Sequence, residues 1–470
     1  MTNVKFEQLK SSIKNKKVAI IGLGISHAPL VKFLYKLGAK ITVFDSANKD
    51  KMQKRISEFE DFEIEFSLGE GYLTKLKDGF DFIFRTPGMR PDVPELLEAV
   101  KNGAVLTSEM ELFVNICPAT IFGVTGSDGK TTTTTIISKM LETEGFRCWT
   151  GGNIGTPLID KVEEIMPDEI VVLELSSFQL MTMSKSPQVA VITNLSPNHL
   201  DFHTNYQEYV EAKKNIFMHQ SVDSNDDKGR VVLNFDSPDV REFSKEVDPA
   251  NTELVWFSRV NDIKKGFWLE YDWIVYDGYK IVKVSDIGIP GLHNVENFLA
   301  AIAATYGFVS ADSVMKVAKS FQGVEHRIEF VRELNNVKYF NDSIASSPSR
   351  TTAGLLSFDQ KVILLAGGKD KGIPYDDFGE IIAQCCKKVV LIGATADKIY
   401  ESLKNHVRQT GDGIDIEIFR CVTYEDLVLT AYKISEPGDV VILSPASTSF
   451  DMFTNFEERG RVFKELVKKL

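Results

Sequence analysis

Cysteine is scarce and poorly spaced for chemistry. The five in this 470-residue chain, Cys117, Cys148, Cys385, Cys386 and Cys421, form no C-x-x-C pair. That excludes the common zinc spacings and a redox dithiol motif, and the thiols read as core residues in a reducing compartment. Long apolar runs are missing too. Stretches such as 170–173 fall far short of a membrane span, and positions 1–17 are polar and Lys-rich without the apolar core of a signal peptide. A cytoplasmic protein with no membrane insertion is expected. There is no basic surplus either: 54 Lys and Arg against 66 Asp and Glu leave a net charge of −12, which argues against non-specific nucleic-acid binding. An anionic ligand remains compatible, because helix N-termini and a few cations supply local positive potential. Repeats and low-complexity segments are likewise absent. What is present, 43% apolar and 26% charged residues over a length of about three domains, is the composition of an ordinary globular enzyme.

The hydrophobic pattern reads as α/β throughout, with expected domains over 1–110, 111–323 and 324–470. The first opens with a strand over 18–21, the turn Gly22-Leu-Gly24, a helix through Leu37 and a strand over 41–44 ending at Asp45. That is a dinucleotide-fold pattern, but His27 stands where its third glycine should be. A third strand, over 80–84, leads into Arg85-Thr-Pro-Gly88, a loop at a strand's carboxyl end. In the middle domain, strands are expected over 121–124, 170–175 and 189–193. Helices are expected from the first of these strands to about Glu144 and over 206–219, with a hairpin over 268–284 around Asp277-Gly278. Gly291-Leu-His-Asn-Val-Glu-Asn297 then opens an Ala-rich helix. The last domain alternates strands over 338–340, 362–366, 389–392, 416–419 and 440–443 with helices, which predicts another mostly parallel, Rossmann-like sheet.

Gly126-Ser127-Asp128-Gly129-Lys130-Thr131 lies between a strand and a helix. Glycines there let backbone N–H groups face phosphate oxygens, and the helix N-terminus adds favourable potential. Lys130 would reach the β- and γ-phosphates and the Thr131 hydroxyl a Mg²⁺ ion. The strict P-loop pattern fails, because Val124 occupies its first glycine position. Glu174, ending a strand on the same side, suits Mg²⁺ and equally suits a solvated strand end. His199 in Asn194-Leu-Ser-Pro-Asn-His199-Leu-Asp201 reads by itself as a structural histidine. Lys213, on a polar helix, reads by itself as a solvated lysine.

Taken together and in this order, the phosphate loop, Glu174, Asn194…His199-Leu-Asp201, Gly291-x-His293-Asn294-x-x-Asn297 and His326-Arg327 resemble the Mur ligase family over essentially the whole chain. Those enzymes build the peptide stem of peptidoglycan. Glu174-Leu-Ser-Ser-Phe-Gln179, Asn341-Asp-Ser343 and Ser444-Pro-Ala-Ser-Thr-Ser-Phe-Asp451…Asn455-Phe-Glu-Glu-Arg-Gly460 resemble the branch that adds D-glutamate to UDP-N-acetylmuramoyl-L-alanine. The Asp-Asn-Pro-Arg motif of the diaminopimelate- and lysine-adding branch is absent.

The resemblance implies an acid–amino-acid ligase using ATP and Mg²⁺, acting as a monomer, with a central P-loop ATPase-type domain between the two Rossmann-like ones. ATP phosphorylates the alanyl carboxylate, and the amine of D-glutamate attacks the acyl phosphate. By resemblance, Lys130, His199 and Lys213 serve catalysis. Gly126, Ser127, Asp128, Gly129, Lys130, Thr131, Thr132, Asn294, Arg327 and Asp342 hold ATP. Thr131, Glu174, His199 and Lys213, the last as a carbamate, hold metal. Ser26, Asp45, Thr86, Gly88, Asn153 and His199 take the UDP substrate. Ser346, Lys371, Ser449 and Phe456 take D-glutamate.

Two positions depart from the family. Asp128 stands where relatives carry Asn or His, and Ile344 where glutamate-adding enzymes often carry Lys. Three rival readings have discriminators. A sibling ligase would show a different amino acid stimulating ATP hydrolysis. An NAD-linked dehydrogenase, read from Gly22-Leu-Gly24 and Asp45, conflicts with the mid-chain phosphate loop. A nucleotide-dependent switch would bind ATP without releasing phosphate in a way that depends on both substrates.

Overall fold

The computed structural model describes residues 3–200, 202–222 and 228–470; Asp201, in the His199 motif, lies outside the described residues. Three sheets carry the fold. The first is wholly parallel, in the order Ile64–Leu68, Lys40–Asp45, Lys17–Ile21, Phe82–Phe84, Val105–Thr107. Val18, Ala19, Ile20 and Ile21 are all buried, as expected of a strand covered on both faces. The helix His27–Lys36 follows the glycine turn, and His27 explains the missing third glycine. Its buried ring tucks beneath the turn, with Nδ1 2.7 Å from the Gly22 carbonyl, so a side chain fills the space that glycine would leave open. Burial lowers that imidazole to a pKa of about 4.

The second sheet has nine strands, in the order Tyr279–Lys283, Trp273–Tyr276, Phe267–Glu270, Thr252–Ser258, Gly229–Asn234, Val189–Ile192, Thr120–Thr125, Ile170–Glu174, Cys148–Gly152. From Cys148–Gly152 to Phe267–Glu270 neighbours run parallel; the last two pairings are antiparallel. Thr120–Thr125 lies between Ile170–Glu174 and Val189–Ile192, so the loops after all three open at one edge, where such sheets bind ligands. The expected hairpin over 268–284 is a three-stranded meander. Asp277-Gly278 makes one turn, and the other falls at Tyr271 and Asp272, where Tyr271 takes a φ of 54° without a glycine to announce it. The helix expected over 206–219 is shorter, Tyr206–Lys214.

The third sheet runs Glu329–Leu334, Val337–Asn341, Val440–Leu443, Val362–Gly367, Cys386–Ile392, Glu417–Arg420, parallel apart from the first pair. The antiparallel edge strand Glu329–Leu334 went unread in the sequence because its half-buried residues show no alternation. By contacts, the first two sheets form one compact unit, running through Asp286 with Val295–Lys319. The third sheet belongs to a second unit, Ile287–Asn294 with Ser320–Leu470. Among the described residues no helix is long and apolar enough to cross a membrane.

Candidate active site

The phosphate loop leaves the buried strand Thr120–Thr125 and enters the helix Lys130–Glu144. Two positions in it require glycine. Gly126 takes a φ of +149° with its α-carbon against Thr193, and Gly129 takes +78° against the Asn297 side chain, so a β-carbon at either would collide. Asn194, just past the end of the neighbouring strand Val189–Ile192, fixes the loop from outside. Its Oδ1 accepts the Asp128 N–H at 2.9 Å and its backbone carbonyl accepts the Ser127 N–H at 2.9 Å. The Ser127 hydroxyl lies 2.8 Å from that of Tyr209. Lys130 curls over the loop, donating to the carbonyls of Gly126 and Ser127 at 3.0 and 2.9 Å. Asp128 is exposed and Thr132 buried.

Glu174 is 2% exposed. Its two oxygens reach in different directions: Oε2 accepts the Thr131 hydroxyl at 2.6 Å, and Oε1 accepts the Asn153 amide at 3.0 Å. Carboxylate and hydroxyl oxygens at this spacing suit a hard cation such as Mg²⁺. Lys213 is not the solvated lysine that its helix alone indicated. It is 1% exposed, its Nζ donates to the Thr125 hydroxyl and the Gly126 carbonyl at 3.0 and 2.9 Å, and it lies over the Tyr209 ring. Burial, with the charge of Lys130 adding to it, holds the amine well below the ordinary lysine pKa. His199 is exposed, with a left-handed φ of 54°, and its ring packs edge-on against Phe178.

A cleft of about 320 Å³ opens beside this constellation, within the first unit. Its wall includes Ser26, Thr86, Glu109, Asn153 and Gln179. Three residues assigned by resemblance to the UDP substrate therefore share one cavity; Asp45, Gly88 and His199 are not in its lining. The carboxylate of Asp45 accepts the backbone N–H groups of Leu23 and Ala47 at 3.0 and 2.9 Å, bracing the glycine turn. Gly88 is exposed.

In the second unit Asp342, Ser346, Lys371 and Ser449 follow the carboxyl ends of three adjacent strands, Val337–Asn341, Val362–Gly367 and Val440–Leu443. Asp342, just after Val337–Asn341, is buried, accepts the Ser444 hydroxyl at 2.7 Å and the Ile328 N–H at 3.3 Å, and is pushed up to about 7 by burial. Arg327 is half-buried, and its charge partly offsets that rise. Ser449 is buried, Ser346 half-buried and Lys371 exposed. Phe456 starts the final helix, with its carbonyl accepting the Ser343 hydroxyl at 2.8 Å. Asn294 donates to the Pro290 carbonyl at 2.6 Å.

Sequence reasoning missed two arginines that organise these loops. Arg459 is buried and donates to the Ser343 carbonyl and hydroxyl and to the Ser447 carbonyl, tying two strand-end loops together. Arg85 is fully buried and donates to the Phe178 carbonyl and the Thr182 hydroxyl, joining the first sheet's loop to the segment after Glu174. Only their positions within the motif segments could have flagged them. Among the described residues one cluster, Glu325, His326 and Glu329, has metal-like spacing. The Lys464 ammonium already bridges its two carboxylates at 2.6 and 2.8 Å, so the cation there is a lysine.

Comparison with known proteins finds relatives along the whole chain. Three family models match in order: the Mur ligase MurD-like N-terminal domain over residues 16–108, the Mur ligase middle domain over 124–305 and the Mur ligase glutamate ligase domain over 326–447. The chain is 57% identical to the UDP-N-acetylmuramoylalanine--D-glutamate ligase of Acetivibrio thermocellus, covering 100% of this chain and 99% of that one. It is 54% identical to the protein of the same name in Ruminiclostridium cellulolyticum, with both chains fully covered. Among solved structures it is similar in fold to the UDP-N-acetylmuramate-alanine ligase of Thermotoga maritima, with a TM-score of 0.57 at 20% identity, covering 97% of this chain and 100% of that one. MurF from Acinetobacter baumannii is similar at a TM-score of 0.58 and 16% identity, covering 98% and 92%.

Proposed function

The chain belongs to the Mur ligase family, and on that premise we propose that it joins D-glutamate to UDP-N-acetylmuramoyl-L-alanine, converting ATP to ADP and phosphate in peptidoglycan synthesis. The observation that carries this reading is the placement of Glu174. One carboxylate oxygen meets the phosphate loop at Thr131 and the other meets the cleft wall at Asn153, so nucleotide and acceptor ends converge on one group. Domains over 1–110, 111–323 and 324–470 take the UDP substrate, ATP and the amino acid respectively. The enzyme acts as a cytoplasmic monomer.

A carboxylate does not condense with an amine unaided, because its oxygen is a poor leaving group. Phosphorylation of the alanyl carboxylate by ATP gives an acyl phosphate; the D-glutamate amine attacks its carbonyl carbon, and phosphate leaves. Such transfer depends on positioning and charge neutralisation. Lys130 and the loop N–H groups hold the phosphates. Thr131, Glu174, His199 and Lys213 would hold Mg²⁺, which neutralises charge building on the transferred group. Lys213 does so as a carbamate, formed by its amine adding to carbon dioxide with loss of one proton. The buried setting favours the neutral amine that this addition needs. Asn294, Arg327 and Asp342 hold ATP, the last two from the third domain.

D-Glutamate is selected by charge. Lys371 and the Ser449 hydroxyl make charge-assisted bonds to its side-chain carboxylate, supported by Ser346 and the backbone at Phe456. Lysine or diaminopimelate would set a cation against Lys371 and leave donors unpaired. The L-enantiomer could satisfy the carboxylates only by turning its amine from the acyl phosphate. Competition among equal concentrations of D-glutamate, L-glutamate, L-lysine and meso-diaminopimelate tests this, with D-glutamate expected to win by about 100-fold or more. A dominant product containing another amino acid would refute the assignment.

A further inference from the structure

Glu109 opens the helix Glu109–Ile116 and lines the cleft beside Ser26, Thr86, Asn153 and Gln179. Its setting is unusual for a carboxyl group. The residue is 5% exposed, and among the described residues its Oε1 has no hydrogen-bond partner. Burying a polar group without a partner is destabilising. Glu111, on the same helix, shows the ordinary remedy: it accepts the Ser184 N–H and hydroxyl at 3.1 and 2.8 Å and the Thr107 hydroxyl at 3.3 Å. Among the described residues no cation compensates Glu109. The charged group facing it is Asp160, an acid on the one-turn helix Ile159–Lys161. Lys5, from the helix Val4–Ile13, instead faces Cys117 beyond the far end of the Glu109 helix. Burial pushes the Glu109 carboxyl up to about 8, so at neutral pH it is mostly protonated and can both donate and accept.

We propose that Glu109 is a substrate-binding residue whose carboxyl hydrogen-bonds the sugar of the nucleotide-sugar substrate. This rests on the ligase reading above. The cleft wall carries Ser26 and Thr86, read for the nucleotide end, and Asn153, read for the acyl end. The portion of the substrate joining those ends is the N-acetylated sugar, which offers an amide and hydroxyl groups. A neutral carboxyl pairs with them without the repulsion that a carboxylate would present to a diphosphate.

The test is calorimetric binding of UDP-N-acetylmuramoyl-L-alanine to the intact enzyme at about pH 7 and about pH 9, for wild type, E109A and E109Q, with KM and kcat alongside. E109A should weaken binding about tenfold by removing the partner, and raise KM for that substrate by a similar factor with smaller changes in kcat and in KM for ATP. Wild type should bind about tenfold more weakly at the higher pH, in proportion to the lost neutral fraction. E109Q, neutral at both, should bind like wild type at pH 7 and lose that dependence. Equal binding by E109A and wild type would overturn the proposal, as would the same alkaline weakening in E109Q. The second comparison decides even if E109A does not fold. A wild-type enzyme that binds no UDP-sugar would refute the ligase reading, and this inference with it.

Discussion

Replacing Glu174 with Gln is the sharpest probe of the proposed chemistry, because it changes charge while leaving packing nearly intact. Glu174 is buried, with the Thr131 hydroxyl on one oxygen and the Asn153 amide on the other. Glutamine can keep both contacts. Its carbonyl oxygen accepts from Asn153, and the Thr131 hydroxyl rotates to accept from its amide. Thermal stability should therefore move little, by about 1 kcal/mol or less. The reaction should not tolerate the change. One unit charge about 4 Å from another, at an effective dielectric constant of about 20, is worth about 4 kcal/mol. That corresponds to a loss on the order of 10³-fold in kcat/KM. The assay is phosphate release dependent on both co-substrates, titrated with Mg²⁺, beside a melting curve. E174Q should need far more Mg²⁺ and stay slow at saturation. Wild-type turnover at low Mg²⁺ in a folded E174Q protein would refute the metal role and the convergence argument built on it.

Lys130→Ala should keep the fold and lose on the order of 10²-fold or more in rate; near-normal turnover would remove Lys130 from the mechanism. Lys213→Ala should be severely impaired, activity should fall when bicarbonate and carbon dioxide are stripped, and carbon-13 NMR in labelled bicarbonate should show a carbamate signal. Full activity in the alanine variant with no such signal would return Lys213 to a packing role. His27 gives a pH signature: its folded pKa of about 4 lies below the ordinary histidine value of 6.5, so the unfolded chain binds the extra proton. Its contribution is complete above pH 6.5 and is lost as pH falls to about 4, about 3 kcal/mol in all. Urea midpoints over that range should flatten in His27→Gln, and an unchanged slope would refute the assignment.

What was legible in the sequence is what local pattern determines. Gly-Lys-Thr between a buried strand and a helix announces a phosphate loop whatever the rest of the chain does. Strand-turn-helix order gives the parallel sheets in the same way. Lys213 and Lys214 mark where that reasoning stops. They are neighbours on one polar helix, and nothing in Glu211-Ala-Lys-Lys distinguishes them. In the structure Lys214 pairs with Glu211 and Glu246, the usual arrangement for a helix lysine, while Lys213 points under the phosphate loop toward Thr125 and Gly126. The difference is made by a strand some ninety residues earlier in the chain. Glu109 is hidden for the same reason. At the first position of a helix an acid is ordinary, stabilised by the helix dipole and normally solvated. Its burial comes from a cleft whose wall also draws on segments around Ser26, Thr86 and Asn153. Motif order stood in for these contacts because motifs are where family-wide chemistry repeats. The hydrogen bonds of Arg85 and Arg459 and the burial of Glu109 depend on segments far away in the chain, and only the assembled structure exposes them.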